Sequence, residues 1–210
     1  MKNNYDNIAG YYDVLSRMIF FRAQVKAQID QLAAIPENST ILIAGGGTGW
    51  ILEEIAKIHP SGLTITYVEI SSKMLEISKK REVKGNMVEY IHTSMEDFKP
   101  LISYDILITA FFFDNFSADS IQMVFNQLHA LLKSGGTWLF ADFYYTEKSG
   151  KRWQWLLLQT MYLFFSKVSS VEAKSLINTE YLFEGNSYLV LKTSFYYRRF
   201  IKTIIYRKIV

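Results

Sequence analysis

The spacing of apolar residues changes period along this chain. Five short runs, "STILIA" (39–44), "LTITYVEI" (63–70), "MVEYIHT" (87–93), "YDILITA" (104–110) and "TWLFADFYY" (137–145), are rich in β-branched or aromatic residues. Runs of this length predict strands, and the first, bounded by turn residues, has the pattern of a strand buried on both faces. Between them the spacing is helical. Ile51, Leu52, Ile55 and Ile58 follow Thr48, a candidate cap, and "HPSG" (59–62) breaks that helix. "SSKMLEISKK" (71–80) predicts a helix capped by Ser71 or Ser72. Ile121, Val124, Phe125, Leu128 and Leu131 share one face of a third, which "SGG" (134–136) ends. Ahead of the first strand, residues 17–35 predict a helix that stops before Pro36.

Strands alternating with helices imply a parallel sheet covered on both faces. The tail departs from that pattern. A helical stretch covers roughly 151–183, then "SYLVLKTSFYY" (187–197) and "FIKTIIYRKI" (200–209) follow with little between them. So short a gap allows only an antiparallel hairpin. The predicted fold is α/β: a seven-stranded, mostly parallel sheet with helices on both faces and a C-terminal antiparallel β-hairpin. Residues 1–210 are expected to form one domain. It divides into an N-terminal helical cap (1–38), a core (39–145), a second helical cap (146–186) and the hairpin (187–210).

Composition narrows the function classes. Half of the 210 residues are hydrophobic and 16% are aromatic, which supports a real core and argues against disorder. The chain has no cysteine, so disulfides and thiolate metal sites are excluded. A net charge of +3 is too mild to imply nucleic acid. The opening "MKNNYDNIAGYYD" carries acids and no apolar centre, so it does not read as a signal peptide. The longest apolar run, "WQWLLLQTMYLFF" (153–165), is too short to span a bilayer and contains two glutamines. A soluble, cytoplasmic protein, monomeric or homodimeric, is expected.

"ILIAGGGTGW" (41–50) carries the chemistry. A strand, a glycine turn and a helix make a seat for a nucleotide-like ligand, because the backbone approaches the ligand and the helix N-terminus offers free N–H groups. A phosphate-binding loop needs lysine then serine or threonine after the last glycine; Trp50 and Ile51 stand there instead. A dinucleotide fingerprint needs a third glycine where this chain has Trp50 or Leu52. S-adenosylmethionine, which has no pyrophosphate, is the third ligand the turn admits. Glu69, at the end of the second predicted strand, is placed to accept bonds from two ribose hydroxyls, or else is a solvated acid near a helix N-terminus.

"ILIAGGGTG", "YVEIS", "IHTSMEDF", "YDILITAFFFDNF" and "LLKSGGTWLFADF" fall in the order and spacing of the Rossmann-like class I S-adenosylmethionine-dependent methyltransferases, which the chain resembles to about residue 145. "YDNIAGYYDVLSRM" looks like the opening of the branch that holds the ubiquinone and menaquinone C-methyltransferases. The resemblance implies that Gly45, Gly46 and Gly47 line the methionine portion of the cofactor. It implies that Glu69 holds the ribose and Ile70 lies against adenine. Ser94 and Met95 match positions at the adenine edge and face, Ala110 and Phe111 sit beside the methionyl end, and Tyr12 closes over the cofactor. Two positions depart from the family: Ile43 and Ser94 stand where it commonly has acids.

Methyl transfer asks an enzyme for alignment and desolvation. "FFFDNF" (111–116) offers aromatic faces to a sulfonium, or ordinary packing. Asp114 in that loop is the candidate general base, its other reading being a turn or capping aspartate. Asp142 in the fifth strand reads as structural. His59, His92 and His129 are scattered and give no metal spacing. "WQWLLLQTMYLFF" encloses a hydrophobic acceptor, makes a dimer or membrane-surface contact, or packs on the hairpin. "YYRRF" and "YRK" read as alternating strand faces with positive ends, and no nucleic-acid partner is expected. The expected function is methyl transfer to a small, hydrophobic acceptor. The alternative is a non-catalytic protein that keeps the fold and binds the cofactor or a partner, and a nicotinamide-dependent oxidoreductase is disfavoured by Trp50.

Overall fold

The computed structural model describes residues 6, 9, 10, 20, 22–145, 151–168 and 176–209. Its centre is a strand whose successive residues face opposite layers. Ile41 and Ile43 of β1 (Thr40–Ala44) join one buried cluster, and Leu42 and Ala44 join another. Ile106 and Ile108 against Leu107 repeat the division in β4 (Tyr104–Ala110). A strand with apolar residues at every position is buried on both faces, as the run "TILIA" requires.

The remaining elements follow from this core. α1 (Ala23–Ile29) and a 3-10 turn (Leu32–Ala34) precede β1. α2 (Trp50–Ile58), β2 (Ser61–Glu69), α3 (Ser72–Ser78) and β3 (Gly85–His92) come next. After β4 come a 3-10 turn (Phe113–Asn115), α4 (Ala118–Leu131) and β5 (Leu132–Phe143). α5 (Arg152–Val168), α6 (Glu180–Glu184), β6 (Tyr188–Tyr196) and β7 (Ile201–Lys208) complete the described chain. The seven-stranded sheet runs β3-β2-β1-β4-β5-β7-β6. β1 to β5 are parallel, and β7 lies antiparallel between β5 and β6. The strand order therefore reverses between β1 and β4, which opens a crevice at their carboxyl ends.

Packing divides into three clusters. Ile51, Leu52 and Ile55 of α2 and Leu75 of α3 cover one face of the sheet. Phe125 and Leu128 of α4 and Phe183 of α6 cover the other, around Trp138. There Trp138 donates its indole N–H to Thr109 at 2.8 Å, and Phe183 stacks on Tyr206 at 3.9 Å. The third cluster joins α1, α5 and the hairpin through Ala27, Leu158, Met161, Phe143 and Phe200.

Five boundaries differ from the sequence reading. The expected 17–35 helix is α1 at Ala23–Ile29 and a separate 3-10 turn at Leu32–Ala34, with Asp30 and Gln31 in a turn between them. Thr48 does not cap α2; Gly49 does, in a left-handed conformation and without a side-chain bond. "HPSG" ends α2, but Ser61 and Gly62 already belong to β2, because pairing with β3 begins at Ser61 and Gly85. "SGG" lies within β5 rather than ending a helix: Leu132 is extended and pairs with Tyr104, and the glycines fall in the register shift that follows. The stretch 151–183 is two helices, with 176–179 not helical between them and 169–175 outside the described residues. At the other end, Ile35 is extended ahead of Pro36, as a residue before proline must be. Ser71 is the cap of α3, accepting from the Met74 N–H at 3.2 Å.

Candidate active site

The glycine turn occupies the crevice, and its neighbours decide its shape. A Cβ on Gly46 would stand 2.2 Å from the Tyr67 ring, and one on Gly49 would stand 2.5 Å from Ser78 Cβ. Glycine at these two positions lets β2 and α3 approach the turn. A Cβ on Gly47 would meet only the Met74 sulfur at 4.0 Å, so this glycine faces open space. The turn is also tied down by its polar groups. Gly45 donates to Val68 O at 2.9 Å, Tyr67 donates its hydroxyl to Gly47 O at 2.8 Å, and Arg81 Nε donates to Thr48 O at 3.0 Å.

Glu69 ends β2 directly beside this turn. It is 4% exposed and lines the pocket. Its Oε2 accepts from Gly47 N–H and its Oε1 from Ser71 N–H, both at 2.8 Å. Burial pushes its carboxyl above the ordinary range, against the pull of these N–H groups. The Ile70 N–H is a third donor, which leaves the carboxylate capacity for one more. Nearby, Asp6 accepts from Ser71 Oγ at 2.5 Å and from Lys73 N–H at 3.2 Å, which pins the N-terminal segment to the start of α3.

The pocket, about 150 Å³, gathers most of the residues that the sequence singled out. Gly45, Gly46, Gly47, Glu69, Ile70, Met95, Ala110 and Phe111 all line it. Ser94 is buried but is not among the lining residues, although Thr93 and Met95 are. Its hydroxyl donates to Asp97 at 3.1 Å. Tyr12 lies outside the described residues. Ile43 lines the pocket and is 2% exposed, packed in the α2 cluster. Gln24, Gln28, Thr93, Glu96, Trp50 and Asn115 also line it and were not singled out as ligand contacts in the sequence. Tyr67 was missed too. A signal existed: it shares a strand face with Glu69, two residues on.

The loop after β4 divides "FFFDNF" between two roles. Phe113 is core, Phe112 and Phe116 are buried in the core and also line the pocket, and half-buried Phe111 lines it and packs on Phe143. Phe111 has φ of 52°, an uncommon conformation for a side chain of this size. Its N–H donates to Ala141 O at 2.7 Å, and Asn115 Nδ2 donates to Phe111 O, Phe112 O and Asp114 Oδ1 at 3.0, 3.1 and 2.8 Å. The surrounding bonds thus hold the strained backbone in place.

Asp114 is not a lining residue of that pocket. It belongs with Asp142 to a pair of neighbouring acids. Asp142 is buried and accepts from Phe143 N–H at 2.8 Å and from the N–H groups of Phe113 and Asp114. Desolvation pushes Asp142 up to about 7. Desolvation and the Asp142 charge push Asp114 well up. Tyr162 of α5 brings its hydroxyl within the field of both, and burial and the two carboxylates hold it protonated. That hydroxyl and the Trp153 indole N–H are buried without a hydrogen-bond partner.

Comparison with known proteins places this geometry. Residues 41–136 match the family described as methyltransferase domain. The malonyl-[acyl-carrier protein] O-methyltransferase of Priestia megaterium is 29% identical over 145 residues, 68% of this chain and 51% of that protein. The ubiquinone/menaquinone biosynthesis C-methyltransferase of Geotalea daltonii is 27% identical over 146 residues, 66% of this chain and 61% of that one. The chain thus spans a little over half the length of these relatives. Among solved structures, the DhpI-SAH complex aligns with a TM-score of 0.70 at 15% identity, covering 97% of this chain and 93% of that one.

Proposed function

From the premise that the chain belongs to the class I S-adenosylmethionine-dependent methyltransferases, we propose that it transfers a methyl group from S-adenosylmethionine to a small acceptor with an apolar body. The observation that carries this reading is Glu69. It is a buried carboxylate at a strand end, locked by the N–H groups of Gly47, Ser71 and Ile70, with acceptor capacity left for a further donor. A ribose hydroxyl fits that demand. The open space over Gly47 fits the methionyl chain, and Ile70 and Met95 offer apolar contacts to a flat base. When bound, this cofactor supplies an electrophilic methyl on a sulfonium. Phe111, at the pocket and held by Ala141 and Asn115, presents a ring to that positive charge and excludes water.

Asp114 is the candidate base for an acceptor whose reacting atom carries a proton. Paired with Asp142, it takes up a proton more readily than an ordinary carboxylate. Ser94, in its turn with Asp97, is assigned to the adenine edge.

Calorimetric titration with S-adenosylhomocysteine tests the reading. Glu69→Ala is expected to weaken binding by about 1.5–3 kcal/mol, the scale of hydrogen bonds to a charged group. No binding by the native chain at millimolar ligand, or an unchanged affinity in the variant, overturns it. A second reading, cofactor binding without transfer, is favoured by Ile43, which is apolar where the family commonly has an acid. Binding of S-adenosylhomocysteine with no transfer across a broad acceptor panel would support it.

A further inference from the structure

We propose that the outer face of α5 docks on an anionic membrane surface. The helix faces two ways. Leu158 and Met161 are buried against the cluster of Phe143 and Phe200. Positions 152, 155, 156, 159, 160 and 163 form the opposite face, and every one is exposed. On it, Trp155, Leu156 and Leu163 are 52%, 61% and 60% exposed. No charged residue occurs from 153 to 163. The outer face of a helix on a globular domain ordinarily carries charge, so this one calls for an apolar neighbour.

Cations border one end of the face. Exposed Lys151 and Arg152 stand at the N-terminus of α5, where the helix dipole disfavours positive charge, so helix stability does not account for them. The β6–β7 turn packs on the same end of α5, at buried Gln154 and half-buried Trp153. Gln154 Nε2 donates to Arg198 O at 3.3 Å, and the Trp153 and Tyr197 rings are 5.8 Å apart. In that turn Tyr197, Arg198 and Arg199 have φ of 47°, 54° and 68°, and both arginines are exposed. Arg199 lies over the Phe195 ring at 3.8 Å. Among the described residues, none of these four cations pairs with a carboxylate.

Charge selects the occupant. Two copies joined through this face would bring two sets of four cations to one interface, with no acid on the described face to offset them. A layer of anionic headgroups offsets them, while Trp155 and Leu156 enter the boundary between headgroups and acyl chains. The helix lies on such a surface rather than across it: it has 17 residues, and no described helix is long and apolar enough to cross a membrane. Docking does not depend on methyl transfer.

Co-sedimentation of the full chain with phosphatidylcholine vesicles, alone or mixed with phosphatidylglycerol, tests this. Binding to the mixed vesicles is expected to be at least about ten-fold tighter, since a cation near an anionic surface contributes roughly five-fold, and to weaken with salt. The double substitutions Trp155→Ser with Leu156→Ser, and Arg198→Glu with Arg199→Glu, should each reduce binding more than about ten-fold with an unchanged circular dichroism spectrum. Equal binding to both vesicle types, or none by the native chain, overturns the proposal. So does a concentration-dependent dimer that the Trp155 and Leu156 pair abolishes, which assigns the face to a second copy.

Discussion

The glycine side of the pocket and the acid pair outside its lining are built on opposite principles. On the glycine side, Tyr67, Gly47 and Glu69 satisfy one another through bonds of 2.8 Å, and Ser71 completes the glutamate. Outside that lining, Asp114 and Asp142 neighbour each other in the field of a Tyr162 hydroxyl with no partner, and the Trp153 N–H is equally alone. A buried donor left unmade costs about 1–3 kcal/mol. The first side is held in shape by its own groups, with Glu69 left able to accept from a ligand. The second carries buried polar groups left without a partner.

Breaking the glycine side should have the largest effect. Gly46→Ala puts a methyl group 2.2 Å from the Tyr67 ring, so a destabilisation of about 3 kcal/mol is expected in guanidinium unfolding, at the upper end for overpacking. A loss below about 1 kcal/mol would mean that the turn is looser than its bonds suggest.

At the acid pair the effect is smaller and depends on pH. Asp142 is pushed from 3.8 up to about 7 in the fold. Its carboxyl therefore favours the folded state below its unfolded value, and that contribution is lost as pH rises toward 7. Asp142→Asn keeps an oxygen for the same N–H groups and cannot ionise. It should be more stable than the native chain by about 2 kcal/mol at pH 8, with the advantage shrinking towards pH 4 in chemical unfolding. An advantage that is the same at both pH values contradicts the pair. Tyr162→Phe should change stability by about 1 kcal/mol or less, because the lost hydroxyl had no partner. Its effect is expected in the KM for the acceptor, with kcat little altered. A large fall in Tm would make the hydroxyl structural instead.

The same contrast explains what the sequence disclosed. Parallel strands buried on both faces announce themselves as short apolar runs, and an acid at a strand end beside a glycine turn is local information. Glu69 and the lining glycines were legible for that reason. For Tyr67 only the strand face shared with Glu69 was legible, because its bond to Gly47 joins residues 20 apart through packing. Thr48 was misread because the N-cap of α2 rests on the φ of 77° at Gly49, not on a side chain. "SGG" misled because pairing of Leu132 with Tyr104 outweighs a local breaker. The Tyr162 contribution depends on how α5 settles against the end of β5, and no spacing within either segment encodes it.

The contact between position 46 and the Tyr67 ring has a consequence for inheritance. A side chain at 46 and an aromatic ring at 67 compete for one volume, and the hydroxyl of that ring also fastens Gly47. Among descendants of this sequence the two positions must covary: bulk gained at 46 is tolerated only where bulk has already been surrendered at 67, and each such exchange removes a tether from the turn.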